Sequence, residues 1–247
     1  MELYRDHFQN HKRYNIPPAQ LIIADIPYNC GADAYGSNPQ WYVGGDNKNG
    51  ESEFAGKQFF DTDEDFRISE FLNFAGRMLK KEPKNRGEAG CMIVFCSFEQ
   101  QFELIQKAPQ YGWKNYINLV FVKDYSPQVL KANMRVVGNS EYAVLLYRDR
   151  LPKFRNEGRM VFNAQPYQRD TITPSVHPTQ KSIYVISNLI RTFTDPGDVV
   201  IDPCAGSGVT LLAAEQLGRK AYGFEIKREF VDAFNNVISR NVQSTLL

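Results

Sequence analysis

Asp25-Ile26-Pro27-Tyr28 combines an acid, a rigid turn and an aromatic ring within four positions, directly after the apolar run Leu21-Ile22-Ile23-Ala24. A short run of this kind reads as a buried strand that delivers the tetrapeptide to one rim of a sheet. A carboxylate and a neighbouring backbone carbonyl, that of Ile26 or Pro27, can accept both hydrogens of an exocyclic amine. The proline ring fixes φ and so fixes where the carbonyl points. The tyrosine offers a flat face on which an extruded base can stack. Taken alone, the tetrapeptide is explained equally well by a strand, a proline turn and a packed tyrosine.

A second signal lies at the other end of the chain. Val199-Val200-Ile201 is a short β-branched run leading into Asp202-Pro203-Cys204-Ala205-Gly206-Ser207-Gly208-Val209-Thr210, and an apolar helical stretch follows through Leu211, Leu212 and Leu217. Gly206 and Gly208 let the backbone pass close to a ligand, and the helix N-terminus behind them favours polar or anionic groups. Asp202, Cys204, Ser207 and Thr210 complete the candidate contacts of this loop. A second strand reaches Gly223-Phe224-Glu225, and an acid about 20 residues past a glycine loop is placed to hold ribose hydroxyls. Strand, loop, helix, strand and terminal acid in this order are a nucleoside-cofactor signal. The loop lacks the third glycine of the dinucleotide fingerprint, which argues against a dehydrogenase.

His177-Pro178-Thr179-Gln180-Lys181 precedes a helix whose Ile183, Ile186, Leu189, Ile190 and Phe193 fall at helical spacing. A threonine and a lysine at a helix entrance can bind a carboxylate, such as the amino-acid end of S-adenosylmethionine. Thr179 and Ser182 also suit plain capping. Near the N-terminus, Leu3-Tyr4-Arg5-Asp6 reads as a short edge strand ending in another acid.

D-I-P-Y, H-P-T-Q-K and D-P-C-A-G-S-G, in this order, resemble the DNA amino-methyltransferases, specifically the β group, over nearly the whole chain from about Leu3 to Arg240. That group places its catalytic motif before its cofactor motif, a circular permutation of the commoner order. Phe121-Val122-Lys123 and Ser140-Glu141-Tyr142 resemble the family's segments on its sixth and seventh strands. The resemblance implies S-adenosylmethionine as cofactor and DNA as partner. It makes Asp25, Ile26, Pro27 and Tyr28 the catalytic positions, with Ile26 replacing the first proline of D-P-P-Y. It assigns Gly206, Ser207 and Gly208 to the cofactor loop, Glu225 to the ribose, Asp6 to the adenine and Thr179 with Lys181 to the helix entry. Two departures stand out: Ser182 occupies the place of a common second proline, and Cys204 that of a usual phenylalanine. In the family, D-P-P-Y tends to accompany adenine N6 and S-P-P-Y cytosine N4, so Asp25 points to adenine. A homodimer, a cognate restriction endonuclease or orphan status, and a bacterial or phage origin are expectations at family level.

Composition agrees with one enzyme domain. The chain has 247 residues, 43% of them hydrophobic, which suffices for a full core and excludes disorder. There is no run long enough to span a membrane and no charged-then-apolar leader, so a cytoplasmic protein is expected. Cys30, Cys91, Cys96 and Cys204 lack C-x-x-C spacing and histidine partners, which reads as free thiols and no metal. Cys204 follows a proline, as the nucleophile of cytosine-C5 methyltransferases does, but it lies in the glycine loop, and that role is rejected. Net charge is only +1, yet residues 107–169 carry 11 Lys/Arg against 4 Asp/Glu, and residues 33–70 carry 3 against 9. The basic stretch is a candidate phosphate footprint, with Lys123, Lys131, Arg135, Arg155 and Arg169 as its contacts; a solvated surface explains it equally well.

Strands are expected near 21–24, 92–96, 117–122, 141–147, 199–202 and 221–225, and helices near 65–80, 98–108, 182–193, 209–217 and 228–239. This alternation predicts an α/β fold, a mostly parallel sheet with helices on both faces. The family adds a seven-stranded, Rossmann-like sheet with one antiparallel strand, for which 141–147 is the candidate. The long polar stretch 31–61 behind the tetrapeptide is expected to form a lid, and 148–176, with Tyr167 and Arg169, to recognise the target. The expected chemistry is direct methyl transfer to adenine N6 of a flipped base. Alternatives are cytosine N4, RNA or a protein glutamine as acceptor, and a non-catalytic DNA-binding subunit that has kept the fold.

Overall fold

The computed structural model of the chain describes residues 1–28, 66–125, 128–131, 136–174 and 180–245. The expected lid at 31–61 and Thr179 of the helix-entry motif lie outside the described residues, as do Cys30 and Arg135.

The sheet is built from β1 (Glu2–Tyr4), β2 (Leu21–Asp25), β3 (Cys91–Cys96), β4 (Asn115–Val122), β7 (Ser140–Tyr147), β8 (Ala164–Pro166), β9 (Val199–Asp202) and β10 (Lys220–Phe224). A separate antiparallel hairpin joins β5 (Gln128–Lys131) to β6 (Val136–Gly138). The helices are α1 (Ile68–Met78), α2 (Phe98–Lys107), α3 (Ile183–Phe193), α4 (Val209–Gln216) and α5 (Arg228–Thr245). The spatial order is β1-β10-β9-β2-β3-β7-β4-β8, with β7 antiparallel to both of its neighbours and every other pairing parallel. The doubly covered, mostly parallel sheet with one reversed strand is therefore as expected. Among the described residues it has eight strands and not seven, because Ala164–Pro166 adds a short edge beside β4. Three residues ending in proline carry no alternation from which a strand could be read.

Burial explains why the strands read as continuous apolar runs. Along β2 and β3, Leu21, Ile23, Cys91, Ile93 and Phe95 face one core with α3, α4 and Phe234 of α5. Ile22, Ala24, Met92, Val94 and Cys96 face the other, with α1, Leu104 of α2 and Trp113. Period-2 alternation divides the residues between two layers, and each layer is covered by helices, so neither face of β2 or β3 is left polar above Asp25. Among the described residues no helix is long and apolar enough to cross a membrane.

Between β9 and β2 the chain order reverses: β9 and β10 build outward to one side, β2 and β3 to the other. In open α/β sheets, ligands bind outside the carboxyl ends of the strands at such a switch point. Asp25 ends β2 and Asp202 ends β9, so both candidate motifs meet there.

The opposite rim is held by ions. Lys153 Nζ lies 2.7 Å from Asp195 Oδ2 and 2.7 Å from Asp198 Oδ2, and Lys80 Nζ lies 2.9 Å from Asp198 Oδ1. Burial alone would raise the Asp198 carboxyl, but the Asp195 N–H, Lys153 and Lys80 outweigh it and hold it below the usual range. Asp198→Ala would leave Lys153 as an incompletely paired buried cation, and we expect a loss of about 3 kcal/mol in a denaturant titration. A carboxyl depressed on folding stabilises above its unfolded value. The contribution of Asp198 is thus complete above about pH 4 and lost as pH falls below it, and the variant should lose this acid sensitivity.

Candidate active site

Asp25 is the first residue of its strand to emerge from the core. Leu21 to Ala24 are at most 1% exposed, whereas the Asp25 side chain is 29% exposed. Its Oδ2 lies 2.8 Å from Nζ of Lys181, and its Oδ1 accepts from the Tyr28 hydroxyl at 3.2 Å. Lys181 also lies 3.4 Å from the Tyr28 hydroxyl and 3.4 Å from Glu141 Oε2, while Glu141 Oε1 accepts from the buried Lys123. Burial pushes the Asp25 carboxyl up and Lys181 pulls it part of the way back, so the group is more basic than an ordinary aspartate. Burial would strip the proton from Lys181, but Asp25 and Glu141 outweigh it and hold that proton firmly. The Tyr28 hydroxyl is raised well above its ordinary range by burial and by Asp25, and it remains a donor.

The sequence expected Lys181 at the carboxylate of the cofactor; in the structure its ammonium meets Asp25. The tetrapeptide is also braced from α2. Ser97 caps this helix in a reciprocal capping box with Gln100, and the same Gln100 donates from Nε2 to the Pro27 carbonyl at 2.8 Å. Ile26 is buried, and its N–H donates to the Phe95 carbonyl at 3.2 Å. Gln100 thus already engages one of the two tetrapeptide carbonyls expected to meet an amine.

Across the switch point, the buried Asp202 accepts from the Cys204 N–H at 3.0 Å, and the Thr210 side chain bonds to it as well. Burial drives its carboxyl up to about 7. Glu225 follows β10, and its oxygens accept from the N–H groups of Gly206 and Lys227, each at 2.8 Å. Gly208 has φ 72°, and a Cβ there would come within 2.2 Å of the Phe234 ring. Its lack of a side chain thus serves the packing of α5 on the loop. Cys204 is half-buried beside Asp202 and Ser207 is buried. Asp6 lies two residues past β1 at the same rim, yet its oxygens are turned into the following turn. They accept from the His7 N–H at 2.8 Å, Asn10 at 2.6 Å and the Tyr14 hydroxyl at 2.9 Å.

The candidate DNA contacts divide. Arg155 is tied to Asp195 and Glu88 at the far rim, with Nη2 2.7 Å from Asp195 Oδ2, and Lys123 is spent on Glu141. The backbone of Lys131 lies in the β5–β6 hairpin. Arg169 is exposed, and its guanidinium sits 5.4 Å from the ring centroid of Tyr125. Glu141 and Gln100 were given no role from the sequence. The S-x-x-Q box at Ser97 was a readable signal for the cap, but neither residue carries a local sign of its contact with Lys181 or Pro27.

Residues 19–236 match the family model described as DNA methylase, of the N6/N4 methyltransferases. The chain belongs to this family. Curated relatives include the type II methyltransferase M.BglII of Bacillus subtilis, 38% identical over 30% of this chain and 19% of its own length. The DNA adenine methyltransferase YhdJ of Escherichia coli is 30% identical over 51% of the chain and 45% of its own length. The putative methylase YubD of the same species is 27% identical over 85% of the chain and 82% of its own. The chain thus spans under half of the first and second of these and most of the third. Among solved structures, the M1.HpyAVI–SAM complex superposes with a TM-score of 0.67 at 20% identity, covering 96% of this chain and 98% of that one. The cytosine-N4-specific PvuII DNA methyltransferase gives 0.66 at 16% identity, covering 96% and 92%. These likenesses show a common fold.

Gln100→Leu should remove the brace on Pro27 and half of the capping box. We expect turnover to fall roughly tenfold, with helix stability lower by about 1 kcal/mol. Parallel kinetics and thermal melts would separate the two effects.

Proposed function

We propose that the chain transfers a methyl group from S-adenosylmethionine to the N6 amino group of an adenine flipped out of duplex DNA. The observation that carries this reading is Asp25: a carboxylate more basic than usual, at the carboxyl rim of the switch point, beside the glycine loop. The loop residues fit the cofactor. The Glu225 carboxylate is fixed by backbone N–H groups, those of Gly206 and Lys227 among them, and retains acceptor capacity for a ribose hydroxyl. When bound, S-adenosylmethionine supplies a methyl group on a cationic sulfur that leaves as a neutral thioether.

Asp25 and the Ile26 carbonyl accept the two amine hydrogens. Those bonds draw the nitrogen from planar towards tetrahedral geometry, so its lone pair is free to take the methyl group. Tyr28 supplies the stacking face, and its hydroxyl yields Oδ1 of Asp25 to the incoming amine. Once the new C–N bond has formed, the nitrogen is cationic and Asp25 takes one of its protons. Most of the rate enhancement is then positioning and oriented dipoles. Adenine is favoured by the aspartate that opens D-I-P-Y, and YhdJ, a relative named as a DNA adenine methyltransferase, is consistent with it.

The test is incubation with labelled S-adenosylmethionine and unmethylated, sequence-diverse duplex DNA, followed by nucleoside analysis by mass spectrometry. N6-methyldeoxyadenosine is expected. N4-methyldeoxycytidine would overturn the choice of base, and no methylated nucleoside despite cofactor binding would overturn DNA as the acceptor. Asp25→Ala should bind the cofactor normally and lose about a thousandfold in turnover. Tyr28→Phe should cost less than about tenfold and Tyr28→Ala far more, since stacking on the ring is worth about 1–3 kcal/mol; equal losses would assign Tyr28 to its hydroxyl.

A further inference from the structure

Glu141 has no part in the chemistry above, yet it stands at the centre of a buried row of charges. The row runs Lys123, Glu141, Lys181, Asp25. Lys123 follows β4, Glu141 is the second residue of β7, Lys181 precedes α3 and Asp25 ends β2. The side chains of Lys123, Lys181 and Glu141 are 8%, 7% and 15% exposed. Ions so poorly hydrated persist only when each keeps a partner. Glu141 Oε1 is held by Lys123, and Oε2 faces Lys181 at 3.4 Å without an aligned hydrogen bond. The Lys181 protons are thus left for Asp25 Oδ2 and the Tyr28 hydroxyl.

A lysine paired with Asp25 alone would face two difficulties. Its undivided charge would make Asp25 a weak acceptor, and once Asp25 took the amine proton the ammonium would be stranded in a dry site. A second carboxylate, itself fixed by another lysine, removes both. We propose that Glu141 is a positioning residue for methyl transfer, which holds Lys181 on Oδ2 of Asp25 and remains its counter-ion when Asp25 accepts the proton of the methylated amine. The proposal rests on Asp25 as the amine acceptor. In the step it serves, the N–H bond breaks with its electron pair staying on nitrogen, an O–H bond forms on Asp25, and Lys181 remains charged against Glu141.

Other groups face the same pair: Tyr28 on the turn after β2, Cys96 at the end of β3, Asp202 at the end of β9, and Tyr125 and Tyr167 near Lys181. Among the described residues, Glu141 is the ionised group acting on Asp25 that also pairs with Lys181, and it can be neutralised at constant volume while Asp25, Lys181 and the cofactor loop stay intact.

The test compares the parent with Glu141→Gln, and with the double variant Lys123→Gln/Glu141→Gln, in which the buried Lys123 ammonium is not left facing an amide. Both variants should bind S-adenosylmethionine with unchanged Kd and leave KM for DNA within about twofold, while kcat falls at least tenfold. The acid limb of the kcat–pH profile should move to lower pH, because an unshared Lys181 makes Asp25 more acidic, and carbon-13 titration of the Asp25 carboxyl should move the same way. Parental kcat and pH profile in either folded variant would overturn the proposal. If the parent methylates no DNA, the amine-acceptor reading fails instead. The Asp25 titration then still decides the coupling: a shift supports it and no shift overturns it.

Discussion

Asp25 must carry a charge at the end of a strand that is otherwise sealed from water, and much of the site follows from how that charge is kept. A carboxylate leaving a core this dry is neutralised unless a cation is brought to it. β2 and the turn after it contain no lysine or arginine, so the cation comes from the far half of the chain, as Lys181 before α3. That lysine is itself buried and needs more than one anion, which is where Glu141 enters. The reversed direction of β7 acquires a reason here. Parallel strands bring their last residues to the carboxyl rim, whereas an antiparallel strand brings its first, and Glu141 is the second residue of β7. With β4 on its other side, Val122 lies opposite Ser140, and Lys123 arrives just beyond the strand end to hold Glu141 from behind.

The glycine-loop half of the site is built on a different principle. Around β9, β10 and α4 the contacts are backbone amides closing on carboxylates, Gly206 and Lys227 on Glu225 and Cys204 on Asp202. Dipoles fixed in a loop need no counter-ion and keep their geometry when a ligand comes and goes. The Asp25 half uses full charges, and the two halves meet where β9 pairs with β2. The permuted chain order costs this design little. The switch point depends on which strands are neighbours, not on which is made first, and the N-terminal segment that begins the chain simply adds β1 to the far edge beside β10.

What the sequence disclosed and what it hid divide along the same line. β2 and β9 were legible because strands covered on both faces are apolar without interruption, and the glycine loop was legible because its residue types follow from close packing. Phe234 filling the space over Gly208 was not, although the glycine itself stood out. The destination of Lys181 was hidden because ion pairing leaves no periodic trace; a lysine at a helix entrance looks the same whether it meets a ligand or an aspartate from the other half of the chain. Gln100 shows both cases in one side chain. Its cap could be read from four consecutive residues, whereas its bond to Pro27 depends on β2 and β3 lying side by side.

The same reasoning changes what the basic stretch from 107 to 169 means. Its excess of 11 Lys/Arg over 4 Asp/Glu suggests a field aimed at phosphates. Several of those charges are answered by acids from outside the stretch: Lys153 by Asp195 and Asp198, and Arg155 by Asp195 and Glu88. Lys123 is answered within it by Glu141. Part of the local excess therefore holds the fold together at the far rim and contributes little to the outer field. Arg169 differs, being exposed near the carboxyl rim with its guanidinium against Tyr125, whose ring also lies 5.6 Å from Lys123 Nζ. A cation steadied by an aromatic ring keeps its donors free for phosphate. Lys123 thus links the Tyr125 ring, against which the exposed Arg169 sits, to the buried row of charges that ends at Asp25.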